Sequence, residues 1–295
     1  MKEAFIEKSF RRATLATIEQ ANIIIDEYQL AGFTLTLRQL YYQFVARDMI
    51  LNSDRSYKNL GKVINDGRLA GLIDWEAIED RTRFLRSNPH WATGAAVIDS
   101  CALRFQLDKW EGQAHYVEVW IEKDALIGVI ETICQRLDVP YFACRGYSSQ
   151  SEQWRAGQRL QAVIDQGRKP IIVHLGDHDP SGIDMTRDNK DRLSLFAWND
   201  VQVDRIALNW DQIEQYKPPP NSAKLSDTRA RAYVEQYGDK SWELDALDPR
   251  VIESLIKNKV EQYRDPAKWA VMEGREHSIR RELAIVQQQL EQRGI

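Results

Sequence analysis

The chain has 295 residues, of which 43% are hydrophobic and 28% charged, so it is long enough for two domains and has the composition of a soluble globular protein. Its net charge of −4 excludes a protein that coats nucleic acid through overall positive charge. No apolar run approaches the roughly 20 residues that span a bilayer, and the first residues lack the apolar centre of a signal peptide. Its three cysteines show no C-x-x-C spacing, so we expect a cytoplasmic protein without a membrane partner.

The first 90 residues are predicted to form a helical domain. Apolar residues at helical spacing predict one long helix over residues 4–29. Thr36 is a candidate N-cap for a second helix over residues 37–46. A third helix is predicted over residues 57–70, followed by a short extended segment that starts at Gly71. This order predicts a winged helix-turn-helix domain over residues 1–90.

The third helix and the segment after it carry the basic side chains that we expect to contact DNA. They are Lys58, Lys62 and Arg68 on the helix, and Arg81 and Arg83 on the segment. In a winged helix-turn-helix the third helix lies in a DNA groove. A solvated helix face accounts for the same charges, so the sequence leaves both interpretations open.

Strands and helices alternate after a predicted connector at residues 91–112. The β-α-β-α-β order predicts a mainly parallel, doubly wound sheet, which makes the fold class α/β. This second domain is predicted over residues 113–295, with a helical extension at its C-terminal end. Its predicted strands are residues 116–121, 140–144, 171–175 and 201–208, and its predicted helices are residues 124–137, 150–166, 230–237, 249–263 and 273–292.

Three carboxylates follow two of the predicted strands. Glu122 ends the first strand, and Asp177 and Asp179 follow the buried strand at residues 171–175. The carboxyl ends of parallel strands lie at one edge of a sheet, so we expect the three side chains to meet there. Mg²⁺ prefers a few carboxylates and retained waters, and the sequence therefore predicts a Mg²⁺ site, with Mn²⁺ as a possible substitute.

The same residues fit two other interpretations. Asp177, Asp179, Ser181, Gly182 and Asp188 occupy ligand or turn positions of an EF-hand calcium loop. Against that loop, the preceding segment has the pattern of a strand rather than a helix, and its last position is Asp instead of Glu. A solvated turn is the other alternative, because Asp, Pro, Ser and Gly are common in turns.

Four further polar residues have open roles. His174 and His178 flank the aspartates, and we expect them to be packed or hydrogen-bonded rather than ligands. Glu243 and Asp245 are predicted either to reach the metal edge or to cap the turn before Pro249.

Two segments resemble the motifs of the Toprim domain, which is found in topoisomerases, primases and some nucleases. They are V-E-V-W-I-E-K-D-A-L, residues 117–126, and G-D-H-D-P-S-G, residues 176–182. The resemblance implies a Rossmann-like sheet that binds Mg²⁺ through Glu122, Asp177 and Asp179.

The segment T-L-R-Q-L-Y-Y-Q-F, residues 36–44, is similar to the active-site helix of the topoisomerase VI A subunit and the related meiotic double-strand-break protein. The resemblance implies that Tyr42 is the nucleophile, with Arg38 contacting a DNA phosphate. The short chain resembles the compact forms called mini-A proteins, although the segment after the second strand, Arg145-Gly146-Tyr147, keeps only the family's glycine turn. We therefore expect Mg²⁺-dependent DNA cleavage through a phosphotyrosyl bond, in a protein associated with the nucleoid.

The resemblance also implies partners. In the family, the tyrosine and the metal come from different protomers, which implies a homodimer. No ATPase motif is present, so ATP-driven strand passage would need a separate ATPase subunit. Two alternatives stay open, namely a nuclease in which water attacks and Tyr42 is dispensable, and a DNA-binding module without catalysis.

Overall fold

The computed structural model describes residues 2–79, 88–223 and 229–294. Its N-terminal part contains three helices that pack on one another: α1 (Arg12–Leu30), α2 (Leu37–Ala46) and α3 (Asp54–Leu69). Helix α2 begins as predicted, because the Thr36 hydroxyl accepts from the Gln39 backbone and the Gln39 side chain accepts from the Thr36 backbone. Among the described residues, no helix is long and apolar enough to cross a membrane.

Helix α1 is shorter than predicted at its N-terminal end. Residues 4–11 are not helical, because Ala4 forms an antiparallel bridge with Ala70 and the Phe5 amide donates to the Leu69 carbonyl. The Phe5 ring packs edge-on against Trp75, with 5.5 Å between the ring centroids. Residues 4–6 therefore lie in an extended segment that pairs with the end of α3, and the prediction of a helix from residue 4 was wrong.

The segment after α3 does not form a strand in its described part. Residues 71–79 make turns and one isolated parallel bridge, from Ile78 to Leu35. The Arg68 guanidinium donates to the backbone carbonyls of Trp75 and Ile78 and thereby folds this segment against α3.

The predicted connector contains a helix, α4 (Gly94–Arg104), which packs on the last helix, α11 (Pro266–Gln292). Polar contacts fix the chain that leaves α4, since Arg280 donates to the Phe105 carbonyl at 2.9 and 2.7 Å and Lys109 pairs with Glu276 at 2.9 Å. Helix α11 begins seven residues before the predicted position, at the Asp265 N-cap and Pro266.

The second half of the chain is built on a four-stranded sheet, which confirms the α/β class. All pairings are parallel and the strand order is β2-β1-β3-β4. Side chains of β1 alternate as predicted, with Val117, Val119 and Ile121 in one core and Trp120 in the core on the other face. The strands are β1 (His115–Ile121), β2 (Tyr141–Ala143), β3 (Lys169–Leu175) and β4 (Gln202–Ala207).

Helices cover both faces of this sheet. Two of them, α7 and α8, were missed by the sequence analysis, and α7 begins directly after Asp179. The covering helices are α5 (Ile127–Arg136), α6 (Gln150–Asp165), α7 (Pro180–Phe196), α8 (Trp210–Tyr216) and α10 (Pro249–Glu261). A further helix, α9 (Ala230–Tyr237), packs beside His178 through Tyr233. Two short strands, β5 (Asn221–Ser222) and β6 (Lys240–Ser241), pair antiparallel beside the sheet.

The helical part and the sheet part are joined by direct contacts. The Tyr28 hydroxyl on α1 donates to Asp248 at 2.9 Å, and Arg250 reaches Glu27 at 3.3 Å. Ala246 belongs to the hydrophobic core of the three N-terminal helices. These contacts hold α2 beside the carboxyl ends of β1 and β3.

Candidate functional site

The sheet brings the predicted carboxylates to one edge. Ile121 of β1 pairs with Leu175 of β3, so both strands end at the same level. The Glu122 carboxylate then accepts a hydrogen bond from the Asp177 backbone amide at 2.8 Å. The strand order reverses between β1 and β3, which is where open α/β sheets bind ligands. We call Glu122, Asp177 and Asp179 the carboxylate edge.

Asp179 is the N-cap of α7. Its Oδ1 accepts from the Gly182 amide at 2.6 Å and from the Ser181 hydroxyl at 2.9 Å. Glycine is required at position 182, because a Cβ there would lie 2.2 Å from the Asp177 carbonyl oxygen. The EF-hand interpretation is wrong, since residues 180–196 form a helix and Asp188 pairs with Arg192 at 3.2 Å within it.

Arg205 supports this turn from β4, a role that no sequence motif indicated. Its guanidinium donates to the carbonyls of Asp177 at 2.6 Å and Gly182 at 2.9 Å, and to the Thr186 hydroxyl at 3.0 Å. Burial lowers the pKa of Arg205 to about 10, while the carboxylate edge favours its charged form. Arg205 is therefore a half-buried positive charge that fixes the backbone of the edge.

Lys123 also lies at the site and was missed, although it directly follows Glu122. Its ammonium group contacts Asp177 at 3.0 Å, Glu243 at 3.1 Å and Asp245 at 3.0 Å. Burial opposes its charge, but the neighbouring carboxylates outweigh burial and raise the pKa of Lys123 above its usual value. Lys123 is thus the counter-ion of this cluster.

Burial makes the carboxyl groups of Glu122 and Asp177 hard to ionise. Burial and the neighbouring Asp177 raise the pKa of Glu122 to about 7. Burial also raises the pKa of Asp177 to about 6, against the opposing charge of Lys123. A divalent cation would relieve this unfavourable pair of negative charges.

The side chains of the carboxylate edge are of the chemical type that binds Mg²⁺ or Mn²⁺. Carboxylate oxygens are the donors that Mg²⁺ and Mn²⁺ take, and the edge offers three such side chains. In their present conformations, no group of three His, Cys, Asp or Glu side chains among the described residues is arranged to hold a metal ion. Asp179 caps α7 instead, and both oxygens of Asp177 are engaged, by Lys123 and by the Leu244 amide.

Glu243 and Asp245 reach the site because their segment pairs with the aspartate turn. His178 and Trp242 form an antiparallel backbone bridge, and the Leu244 amide donates to Asp177 at 2.7 Å. Although burial opposes ionisation, Lys123 and Arg38 lower the pKa of Glu243. Both acids bind cationic side chains here.

The two histidines are structural, as expected. His174 is fully buried and bonds Thr186 at 2.8 Å, and burial lowers its pKa to about 3. His178 bonds the Tyr233 hydroxyl at 2.8 Å. Its ring is packed among four aromatic side chains: Trp210, Tyr233, Tyr237 and Trp242.

Helix α2 presents Arg38 and Tyr42 to the same site. Arg38 forms ion pairs with Glu243 and, at 3.4 Å, with Asp245. Its guanidinium carbon lies 5.9 Å from the centroid of the Tyr42 ring. The Asn221 amide donates to the Tyr42 hydroxyl at 3.5 Å, and burial raises the pKa of this phenol.

The adjacent tyrosines differ in their surroundings. The Tyr41 hydroxyl donates to Asn52 at 2.8 Å and accepts from the Ser53 amide at 2.8 Å, so it joins α2 to the start of α3. Asn52 in turn donates to the Asn221 side chain at 2.9 Å, which orients the Asn221 amide toward Tyr42. Tyr42 is therefore the better-placed candidate for chemistry.

A cavity of about 250 Å³ joins the two sets of residues. From α2 and the segments near it come Arg38, Tyr42, Asn221 and Glu243, which we call the cover. The carboxylate edge contributes Asp177 and Asp179. The remaining lining residues are Tyr41, Asn52, Ser53, Asp54, Tyr57, Ser222, Ser241 and Trp242.

The predicted DNA-contacting residues are placed differently from one another. Lys58 and Lys62 are exposed on α3. Arg68 is half-buried and donates to the backbone of the segment that follows α3, so its guanidinium is not displayed on the exposed helix face with the two lysines. Arg81 and Arg83 lie outside the described residues.

Comparison with known proteins leaves the chemistry of the site as the guide to function. No protein-family model, no curated protein and no solved structure matches the chain.

Proposed function

We propose that this protein cleaves DNA by tyrosine transesterification, with Tyr42 as nucleophile and a Mg²⁺ or Mn²⁺ ion as cofactor. One observation carries the proposal: a single cavity is lined by Arg38 and Tyr42 on one side and by Asp177 and Asp179 on the other. A nucleophile, a guanidinium and paired carboxylates are the groups that phosphodiester chemistry requires.

The folds of the helical part and of the sheet part both support the proposal. Three packed N-terminal helices with exposed lysines on the third are consistent with a winged-helix domain. A parallel sheet with Glu122 and the Asp-x-Asp pair at its switch point is consistent with a Toprim domain. We therefore infer the topoisomerase VI A type of architecture, with DNA as the substrate.

The proposed reaction exchanges one phosphate ester bond for another. The Tyr42 hydroxyl oxygen forms a bond to a DNA phosphorus, and the bond from that phosphorus to a deoxyribose oxygen breaks. The phenol proton passes to a carboxylate of the cavity, and the departing sugar oxygen takes a proton from water, which regains a proton from that carboxyl group. The phosphotyrosyl diester that results retains the energy needed to reseal the strand.

Three kinds of group would assist this step. Arg38 is placed to stabilise negative charge on the non-bridging phosphate oxygens. The Asn221 amide holds the Tyr42 hydroxyl in the cavity. Glu122, Asp177 and Asp179 would hold the cation, which would supply positive charge at a phosphate oxygen.

The test is a search for covalent protein–DNA adducts. The protein is incubated with labelled DNA and Mg²⁺ or Mn²⁺, denatured and separated by electrophoresis. We expect adducts with the natural chain and with Tyr41→Phe, and none with Tyr42→Phe or Asp177→Ala. Cleavage without adducts would replace the proposal with hydrolysis by water, and a chain that binds but never cleaves DNA would be a binding module.

A further inference from the structure

The ammonium group of Lys123 is held by three carboxylates of the sheet part. It lies 3.0 Å from Asp177 Oδ2, 3.1 Å from Glu243 Oε2 and 3.0 Å from Asp245 Oδ2. An ammonium group has three N–H donors, so these acceptors can engage all of them. Lys123 and its three partners follow β1, β3 or β6 in the sheet part, so these contacts do not depend on which protomer supplies α2.

The two oxygens of Asp177 differ in how firmly their partners are held. Oδ1 accepts from the Leu244 amide at 2.7 Å, and the backbone at this point is fixed by the bridge between His178 and Trp242. Oδ2 contacts the ammonium group of Lys123, which is carried on a flexible four-carbon stem. Oδ2 is therefore the oxygen whose partner can be exchanged.

Arg205, the other cation of the sheet part at this edge, is bound in a different way. Its guanidinium donates to the backbone carbonyls of Asp177 and Gly182. Its movement would leave these carbonyls without their donor, at a cost in stability. The Lys123 ammonium contacts side-chain carboxylates instead, so it can move without disturbing the backbone.

Lys123 keeps two partners when it releases Asp177. Glu243 and Asp245 lie on the segment directly after β6, and Asp245 is buried. An ammonium group that stays with these two acids remains paired, and so do the acids. The release of Oδ2 therefore avoids the cost of leaving an unpaired charge in the cluster.

We propose that Lys123 competes with the divalent cation for Asp177 Oδ2 and thereby sets the cation concentration at which the carboxylate edge is filled. A divalent cation on Oδ2 would share that oxygen with the ammonium group, and two positive charges on one oxygen repel each other. Glu243 and Asp245 receive the displaced ammonium group, which assigns them to Lys123 rather than to the metal. This inference rests on the proposed function, because it takes the carboxylate edge as the metal site.

Direct binding of Mn²⁺ tests the competition without DNA or cleavage. The full-length natural chain and Lys123→Met are titrated with Mn²⁺, and the free ion is measured by electron paramagnetic resonance. We expect Lys123→Met to bind Mn²⁺ at least about fivefold more tightly, because the competing charge is gone. Asp177→Ala should lose this binding. Equal or weaker binding by Lys123→Met, or binding retained by Asp177→Ala, would overturn the proposal.

Further variants separate the charge of Lys123 from its packing. Lys123→Arg retains the positive charge and should bind Mn²⁺ as the natural chain does. Lys109→Met is the matched control, because Lys109 also pairs with a buried acid, Glu276 on α11, at 2.9 Å. Tighter binding by either variant would show that the charge of Lys123 is not the competitor. Circular dichroism checks folding, and Lys123→Gln replaces Lys123→Met if the latter does not fold.

A double-mutant cycle tests the assignment of Asp245 to Lys123. Asp245→Asn removes one of the two acids that receive the displaced ammonium group, so it should weaken Mn²⁺ binding in the natural chain. In the Lys123→Met background the same change should have a much smaller effect, because there is no ammonium group to receive. An equal loss in both backgrounds would make Asp245 a metal ligand and would overturn the proposal.

Failure of this inference and failure of the proposed function give different results. If the natural chain and Lys123→Met bind Mn²⁺ equally, the metal site stands and only the competition is lost. If neither chain binds Mn²⁺, the metal site is lost and the competition with it. The DNA adduct assay decides separately whether Tyr42 is the nucleophile.

Discussion

The carboxylate edge and the cover are held in place by different forces. The edge follows from the backbone, because paired strands, the α7 N-cap and Arg205 fix Glu122, Asp177 and Asp179. The cover depends on side chains, chiefly the pairs of Arg38 with Glu243 and of Asn221 with Tyr42. Damage to the edge should therefore unfold the protein, whereas damage to the cover should remove activity from a folded one.

The largest effect is expected for Arg205→Met. It removes a half-buried charge and the donor that serves the carbonyls of Asp177 and Gly182. We expect the free energy of unfolding to fall by about 3 kcal/mol, measured by urea denaturation. Arg187→Met is the control, because Arg187 is exposed on α7 and its loss should change stability by less than about 0.5 kcal/mol. Equal losses in both variants would show that Arg205 does not support the edge.

Gly182→Ala should be the next most damaging. The added methyl group would lie 2.2 Å from the Asp177 carbonyl oxygen, so the turn must move. A loss of about 2 kcal/mol is expected, again by urea denaturation, together with lost DNA cleavage. Gly274→Ala on α11 meets nothing within 4 Å and should instead gain about 0.5 kcal/mol. A stable, active Gly182→Ala would mean that the turn adapts freely.

The link between the helical part and the sheet part should depend on pH. Burial would raise the pKa of Asp248, but Arg250 and the Tyr28 hydroxyl outweigh burial and hold that pKa below its usual 3.8. Because the folded-state pKa is lowered, the stabilisation is present above pH 3.8 and is lost as pH falls through the folded value. Asp248→Asn should cost about 1 kcal/mol near neutral pH. The stability difference between the two proteins should disappear in acid, and a constant difference would contradict the assignment.

The smallest effect on stability is expected for Glu243→Gln. Glu243 and Arg38 are both partly exposed, so the loss should be under about 1 kcal/mol. Cleavage should nevertheless fall at least about tenfold, because Arg38 and the α2 helix lose their docking contact. Adduct yield and thermal unfolding are measured on the same sample, with Glu243→Asp expected to recover part of the activity. Full activity in Glu243→Gln would show that the charge of Glu243 is not needed to position Arg38.

Local patterns in the sequence predicted the parts of the molecule that local forces determine. The Thr36 cap, the alternation along β1 and the meeting of Glu122 with Asp177 all follow from neighbouring residues or from strand order. Helix α7 was missed because Asp179-Pro180-Ser181-Gly182 has the composition of a turn, although Asp followed by Pro is also a helix start.

The contacts that complete the site could not be predicted in the same way. Arg205 lies on a strand whose alternation does not indicate what its side chain binds, and Glu243 meets Arg38 from 205 positions away. The opposite error occurred at residues 4–11, where apolar residues at helical spacing predicted a helix but the backbone of residues 4–6 bonds the end of α3 instead. Long-range packing decided both cases.

The hydrogen bond from Gly182 to Asp179 has a consequence for ligand affinity. Any ligand that draws Asp179 Oδ1 away must leave this amide without its partner, at a cost of about 1 kcal/mol. That cost corresponds to a dissociation constant about fivefold higher. The first turn of α7 thus disfavours any cation whose binding free energy does not exceed this cost. Hydrogen exchange at the Gly182 amide should become faster when a ligand takes Asp179 Oδ1.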